Sequence, residues 1–495
     1  MTVTQYVGGA EPARCGKKGA VAVRWPIVKS TRDQPIMTAD VVDDGGSVFG
    51  GGVVLFAGGV DFENLARRGP PAKGKKAAAD GVSEERAQFY QDLLSPHRLA
   101  SLSEVVVRFI ASGPAASHLF AVDINGDAYA WGRNLEGQLG LGDRVQRNQP
   151  TKVPDIHNVV SVSCGRAHTS FVLADGTAMS CGDNKFGQLG TGSDVDQVAT
   201  PVRIALSKAV KMVACGADFT MWLSQEGNLY AAGSGENGAL GDGSTHTFNT
   251  KSSSIKMEIE AQPRPRHVPG IPKDSVVNVA CGINHTICLT DDGSVYSWGC
   301  GDYGRLGHEV QRDELRPRQI GTFTSNRAVP VDAVMACGGT CSIISSQHGI
   351  YWWGKVKPSG DAMMTPTMCY DLRGWELRSL SAGKATFGVA AESSCILWGN
   401  ATHGELAGGP YGRKTSASPA KCSPLEGLIT QQVVCGNGFT AFLMDTSHAK
   451  TSETVDGFAV YEAPAQDPFA ASPPSPTKPK AKPSRKPGKR KRGSD

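Results

Sequence analysis

Three histidines are the first residues whose type and spacing invite a chemical reading. His118, His168 and His285 follow Gly113, Gly165 and Gly282 by a few residues, and Asp218-Phe219 fills the matching place after Gly216. An imidazole near neutral pH serves as a general base or a metal ligand. These rings recur at intervals along the chain, however, so they do not readily converge on one substrate. A ring hydrogen-bonded to a neighbouring turn accounts for them more simply. Cys164, Cys215, Cys281, Cys337 and Cys435 precede the recurring glycine, while Ser112 and Ala382 replace them elsewhere. Interchange with Ser and Ala describes a small buried slot, not a nucleophile. Cys337 and Cys341 are spaced loosely like metal ligands, but no second cysteine pair or nearby histidine completes four. No string reads G-x-x-x-x-G-K-[ST], and no convincing Gly-x-Ser-x-Gly or His-Glu-x-x-His is present. No catalytic, cofactor-binding or metal-binding residue is therefore expected.

The other chemically distinctive cluster is cationic. Lys478, Lys480, Lys482, Arg485, Lys486, Lys489, Arg490, Lys491 and Arg492 lie among Pro473, Pro474, Pro476, Pro479, Pro483 and Pro487. Proline at this density blocks helix and strand, so the segment is expected to be extended and mobile. Two basic clusters divided by a short spacer match a nuclear import signal, which implies an import receptor as partner. The same charges would also hold nucleic-acid phosphates without sequence preference, with an affinity falling steeply as salt rises. Ser472-Pro473 and Ser475-Pro476 resemble proline-directed kinase sites; a phosphate at Ser472 or Ser475 would add roughly −1.5 to −2 charges beside the basic run. The whole chain carries a formal charge of +4, so the remainder is mildly acidic and an anionic partner is expected for the tail alone.

The elements that position these groups are repeated ones. With 495 residues, 60 Gly, 29 Pro and 7% aromatic residues, the composition suits many short strands joined by tight turns. One unit recurs seven times: an apolar strand ending in a small residue and Gly, a second apolar strand, a Gly turn, and a strand ending in an aromatic residue and Gly. Its first glycines are Gly113, Gly165, Gly216, Gly282, Gly338, Gly383 and Gly436. The unit is clearest from Val276 to Gly307, where Val276–Gly282, His285–Leu289 and Val295–Gly299 read as strands and Asp292-Gly293 as the hairpin turn. Seven units of about 50 residues fit propeller blades or a solenoid. The seventh stops after Ala441–Met444, and a matching segment, Val53–Gly58, stands alone near the front. Pairing it into the last blade removes an exposed sheet edge. The expectation is an all-β, seven-bladed β-propeller over residues 46–448, closed by an N-terminal strand, with disordered termini at 1–45 and 449–495.

Three segments break the period and are expected to project as loops, the usual place for partner contacts. Residues 66–104 include a short helix over Ser83–Leu94 with a Ser cap and Glu three positions on. Residues 244–275 are polar and proline-bearing, and Pro358–Thr367 stands where the fifth unit loses its Gly-Gln-Leu-Gly element. No apolar run approaches the roughly 18–20 residues of a membrane span, and the first twenty residues lack the apolar core of a secretory signal. The 13 cysteines are read as reduced thiols of an intracellular protein.

The Gly-Gln-Leu-Gly strings, together with Cys-Gly-x-x-His and Trp-Gly, resemble the regulator of chromosome condensation repeat family of seven-bladed propellers over roughly residues 50–446. Pro96-His97-Arg98, Tyr303–His308 with Asp313-Glu314, and Asp371–Leu380 are similar to the telophase-disk branch of that family. The resemblance implies a nuclear protein associated with chromosomes and spindle in mitosis, with spindle or chromatin proteins and a small GTPase of the Rac, Ral or Arf kinds as partners. It departs from that branch in its short N-terminus, since the strongest basic cluster here is C-terminal. Two functions follow. One is a non-catalytic scaffold. The other is a guanine-nucleotide exchange factor, which needs an ordered wedge, with 244–275 or 66–104 the only long candidates.

Overall fold

The computed structural model describes residues 51–66, 85–86, 89–250, 257–324, 327–347, 349–357 and 360–464. Within them the chain forms seven antiparallel four-stranded units, the blades of an all-β propeller. The fourth blade shows how sequence makes the unit. Its strands are Val276–Cys281, His285–Thr290, Val295–Gly299 and Glu314–Gln319, paired in that order. The second strand is buried at every position, with apolar Ile287, Cys288 and Leu289 at its centre and the polar His285, Thr286 and Thr290 enclosed at its ends. The turn into the third strand places Gly293 at φ +79°, a region that glycine enters without steric cost. The fourth strand is polar, half exposed and the edge of its sheet.

All seven outer strands carry a proline at one register position: Pro96, Pro150, Pro201, Pro265, Pro317, Pro366 and Pro419. Proline offers no N–H to a further strand, and the pairing register shifts just beside it in each blade. Proline and bulge together blunt an edge that would otherwise invite pairing with another chain.

The seventh blade is assembled from both ends of the chain. Its strands, in spatial order, are Thr430–Cys435, Phe439–Asp445, Gly52–Gly58 and Leu93–Leu99. Gly52–Gly58 pairs residue for residue with Asp445–Phe439. Phe56 stacks on Phe439 with ring centroids 5.6 Å apart, and Phe62 packs edge-on against both. The first and seventh blades also meet near the axis. Ile110 N–H donates to Gln432 Oε1 at 2.8 Å, Gln432 Nε2 donates back to Ile110 O at 2.9 Å, and Asn437 N–H donates to Ala116 O at 2.9 Å.

Several expectations about the irregular segments need correction. In 66–104, Glu85, Arg86 and Phe89 are helical, but Leu93–Leu99 is the outer strand of the seventh blade, so the helix does not reach Leu94. Apolar Leu93 and Leu99 bury here because the strand lies on the core cluster that holds Phe56 and Phe439. In 244–275, Thr247–Asn249 pairs with Met257–Ile259 as a hairpin, and Gln262–His267 is the outer strand of the third blade. Met363–Met368 likewise supplies the fifth blade's outer strand. Arg-Pro and Thr-Pro alternation had disguised these strands as loops. Finally, order extends beyond 448. Ala449–Asp456 is a helix, and Val460-Tyr461 pairs in parallel with Arg98-Leu99. Thr451 Oγ1 accepts from Ile429 N–H at 3.2 Å, Val455 is buried, and Arg98 pairs with Asp456 at 3.3 Å. Residues 1–45 and 465–495 lie outside the described residues.

Losing the fifth blade's Gly-Gln-Leu-Gly loop has a measurable consequence inside the core. Trp298 Nε1 donates to Ala239 O and Trp353 Nε1 to Arg305 O, both in the corresponding loop of the preceding blade. The equivalent Trp398 is fully buried, and among the described residues its Nε1 finds no acceptor.

Candidate functional site

The recurring histidines join one blade to the next. His118 Nε2 lies 2.8 Å from Thr169 Oγ1, His168 Nε2 2.8 Å from Thr220 Oγ1, and His285 Nε2 2.9 Å from Ser342 Oγ. Each partner hydroxyl already donates its own proton, to Gln138 O, Gln188 O and Arg305 O respectively. The imidazole must therefore be the donor, which fixes the Nε2–H tautomer. Nδ1 of all three rings is buried without a partner among the described residues. Burial pushes each of these histidines down to about 3, with nearby cationic groups adding to the effect. They are neutral, enclosed struts.

For His168 and His285 the glycine three places before is part of the same device. A β-carbon on Gly165 would sit 2.0 Å from His168 Cε1, and one on Gly282 2.1 Å from His285 Cε1. The ring lies flat on its own glycine, which is why Gly-x-x-His recurs. In the third and seventh blades Phe219 and Phe439 lie on Gly216 and Gly436 in the same way. Around the axis, Arg166 N–H donates to Ala217 O and Ala217 N–H to Ile283 O, both at 2.9 Å, and Gly339 N–H to Gly383 O at 3.2 Å. The cysteines of the same layer are all buried, and loss of solvation pushes their thiols up. A raised thiol is a poor nucleophile.

These rings set a pH dependence. A histidine that titrates near 6.5 unfolded and about 3 folded binds more protons in the unfolded state between those values. Stability then rises with pH across the window: it is complete above about 6.5 and drains as pH falls. Each ring contributes up to about 1.4 kcal/mol per pH unit. Urea unfolding should show the midpoint dropping steeply from pH 6.5 to 4.5, with the slope reduced in a His118→Gln/His168→Gln/His285→Gln chain. An equal slope in both would remove the histidines as its cause.

Recognition chemistry gathers elsewhere. Because strands alternate in direction, the turns between first and second strands and the loops between third and fourth strands emerge on one face. That face carries 59–66 and 89–92, the described residues of the 234–261 loop with its hairpin, and the 400–414 loop. The hairpin exposes Phe248 (48%) and Met257 (54%). The residue before the loop glycine varies from blade to blade: Glu136, Phe186, Asn237, Tyr303 and His403. Tyr303 is 45% exposed at φ +59°, with the Arg305 guanidinium and the Lys355 ammonium each 5.7 Å from its ring centroid. Between Asp61, Leu65 and Tyr90 on one side and the 400–414 loop on the other lies a cavity of about 630 Å³, where His403 Nδ1 meets Asp92 Oδ2 at 3.0 Å. The hydrogen bond to Asp92 raises His403.

Lys478 through Arg492, Ser472 and Ser475 lie outside the described residues. The surface groups just named had escaped notice. Their signal was the variable position inside an otherwise fixed Gly-Gln-Leu-Gly frame.

Fixed residues holding blades and variable residues facing outward define a repeat propeller. Models of the Regulator of chromosome condensation (RCC1) repeat match residues 125–172, 175–223, 226–289 and 292–344, and also 159–188 and 276–305. The chain belongs to this family. It is 35% identical to the human protein RCC2 over 444 residues, covering 86% of this chain and 81% of that one. Among solved structures it resembles Prp20p from Saccharomyces cerevisiae, described with its binding properties to Gsp1p and histones, at 20% identity and a TM-score of 0.60 over 82% of this chain and 94% of Prp20p. Yeast RCC1 (Prp20), solved with Kap60 bound, gives 18% identity and a TM-score of 0.61 over 88% and 99%. These likenesses in structure concern the fold. No helix among the described residues is long and apolar enough to cross a membrane.

Proposed function

We propose that this protein is a non-catalytic scaffold whose loop-bearing face holds a small GTPase, with spindle or chromatin proteins as further partners, and whose basic tail directs it to the nucleus and to chromosomes in mitosis. One observation carries the reading: the recurring histidines and cysteines are buried within the blades, the histidines as blade-to-blade struts, while the variable and irregular loops share one face. An exposed, strained Tyr303 between two cations is the kind of anchor that binding surfaces favour. Prp20, which shares this fold, has binding properties to Gsp1p and histones and has been solved bound to Kap60, which supports a partner list of a GTPase, chromatin and an import receptor. Deleting residues 471–495 should move a tagged chain out of the nucleus. Substituting Ser472→Glu and Ser475→Glu should weaken its retention on chromosomes. Unchanged localisation after truncation would remove the tail's role.

A second reading, nucleotide exchange, is favoured by the hairpin. Thr247–Asn249 and Met257–Ile259 form an ordered projection with Phe248 and Met257 at its surface, as a wedge requires. Purified protein accelerating nucleotide release from a GTPase many-fold, and losing that with Phe248→Asp, would establish it over the scaffold.

A further inference from the structure

The outer strands of the third and fourth blades each contain Arg-Pro-Arg: Arg264-Pro265-Arg266 and Arg316-Pro317-Arg318. All four arginines are exposed. The repeats supply their own controls for whether the fold needs these residues. By pairing register, the place of Arg264 and Arg316 is taken by Ser95, Gln149, Thr200, Thr365 and Ser418 in the other blades. The place of Arg266 and Arg318 is taken by His97, Thr151, Val202, Thr367 and Ala420. Five blades build the same strand with neither Arg nor Lys at either place. The guanidiniums of Arg264 and Arg316 lie against Gly192 and Gly243 in loops of the preceding blade, and Thr200 takes the same place against Gly142 without a charge, so the fold uses a side chain there but not its cation.

The chain leaving the first triplet runs up to the second. A β-carbon on Gly270, four residues past Arg266, would lie 3.8 Å from Pro317 Cδ, between Arg316 and Arg318. The compensating charge is sparse: Glu314 pairs with Arg318 at 2.8 Å and Arg312 at 3.2 Å, while among the described residues no carboxylate pairs with Arg264, Arg266 or Arg316. Two residues apart along an extended strand, the Cα atoms of each arginine pair lie about 6–7 Å apart. Like charges at that spacing repel, so a counter-charge is called for. The prolines decide its nature. With Pro263, Pro265 and Pro317 removing backbone donors, an acidic peptide cannot zip onto the edge as a strand. Recognition is left to planar guanidinium forks, whose geometry matches phosphate oxygens.

We propose that this rim is a binding surface for the phosphodiester backbone of a nucleic acid, with Arg264, Arg266, Arg316 and Arg318 as sequence-independent phosphate contacts. It lies on ordered blades, apart from the basic tail, and does not depend on the scaffold reading. The test uses the full-length chain with the nine tail Lys/Arg changed to Gln, and fluorescence anisotropy of a short labelled DNA duplex across a salt series. Arg264→Glu/Arg316→Glu should weaken binding about tenfold or more, and the log–log salt slope should shrink by about 2. Thr200→Glu/Ser418→Glu, adding the same kind of charge at the equivalent rim positions, should change affinity less than about twofold. Arg264→Thr/Arg316→Thr copies what Thr200 and Thr365 already show the fold accepts, and should weaken binding with an unaltered melting curve. Equal losses in the rim and control variants, no effect of either arginine variant, or a polyglutamate peptide displacing the duplex at lower concentration would each overturn the proposal.

Discussion

Removing residues 1–60 should collapse the stability of the whole propeller, not trim a tail from it. Gly52–Gly58 is an interior strand, hydrogen-bonded along its full length to Phe439–Asp445 on one side and to Leu93–Leu99 on the other. Leu55 is completely buried and Phe56 nearly so. Deleting the strand strands the outer neighbour as well and leaves Phe439 without its stacking partner. Leu55→Ala alone should cost about 2–5 kcal/mol. Leu55→Asp, which buries a charge among Ala390, Leu397 and Phe442, should prevent folding to a soluble monomer. Denaturant unfolding followed by tryptophan fluorescence, with gel filtration alongside, reads both. A truncated chain with the parent midpoint and elution volume would show that the ring does not need this strand.

Gly165→Ala should be nearly as damaging although it adds one methyl group. The new carbon meets His168 Cε1 at 2.0 Å, Nδ1 at 2.3 Å and Gly216 O at 2.7 Å. The ring cannot swing aside without losing its bond to Thr220 Oγ1, and Thr220 is itself tied to Gln188 O. The carbonyl belongs to the backbone of the next blade, whose Ala217 O is held by Arg166 N–H. Overpacking of this kind costs about 1–3 kcal/mol where side chains can yield, and more where backbone is struck. Gly321→Ala is the control: nothing lies within 4 Å of its β-carbon, and its effect should stay within about 0.5 kcal/mol. The double change Gly165→Ala/His168→Ala should recover part of the loss by deleting one of the two obstacles. Similar midpoints for Gly165→Ala and Gly321→Ala would show that the inner layer is far softer than its distances indicate.

How much of this was legible depended on whether the signal lay inside the repeat. The three inner strands of a blade announce themselves, because an apolar run, a Gly turn and an aromatic-Gly ending are each demanded by burial or by close approach. The histidines were readable as structural for the same reason: a residue repeated around a ring serves the ring. Outer strands were the blind spot. Gln262-Pro-Arg-Pro-Arg-His267 has neither apolar alternation nor β-branched residues, and proline argues against a strand unless the strand is an edge. Its place becomes evident only when the third strand beside it is seen. Ala449–Asp456 was missed because its two buried residues, Thr451 and Val455, make a short stripe in a polar stretch. Candidate surface groups such as Tyr303 were visible as letters, but their gathering on one face follows from strand direction, which no single repeat reveals.

The interleaving of the two chain ends in the seventh blade also has a temporal side. About 380 residues separate Gly58 from Phe439, the partner it faces. At a synthesis rate of roughly 5–20 residues per second, an apolar strand waits some 20–80 seconds on the ribosome before its mate is made. During that interval Val53, Val54, Leu55 and Phe56 form an adhesive, unsatisfied ribbon while six other blades fold behind it. That ribbon finds its mate only after nearly the whole propeller has been made, so closing the ring is among the last steps of assembly.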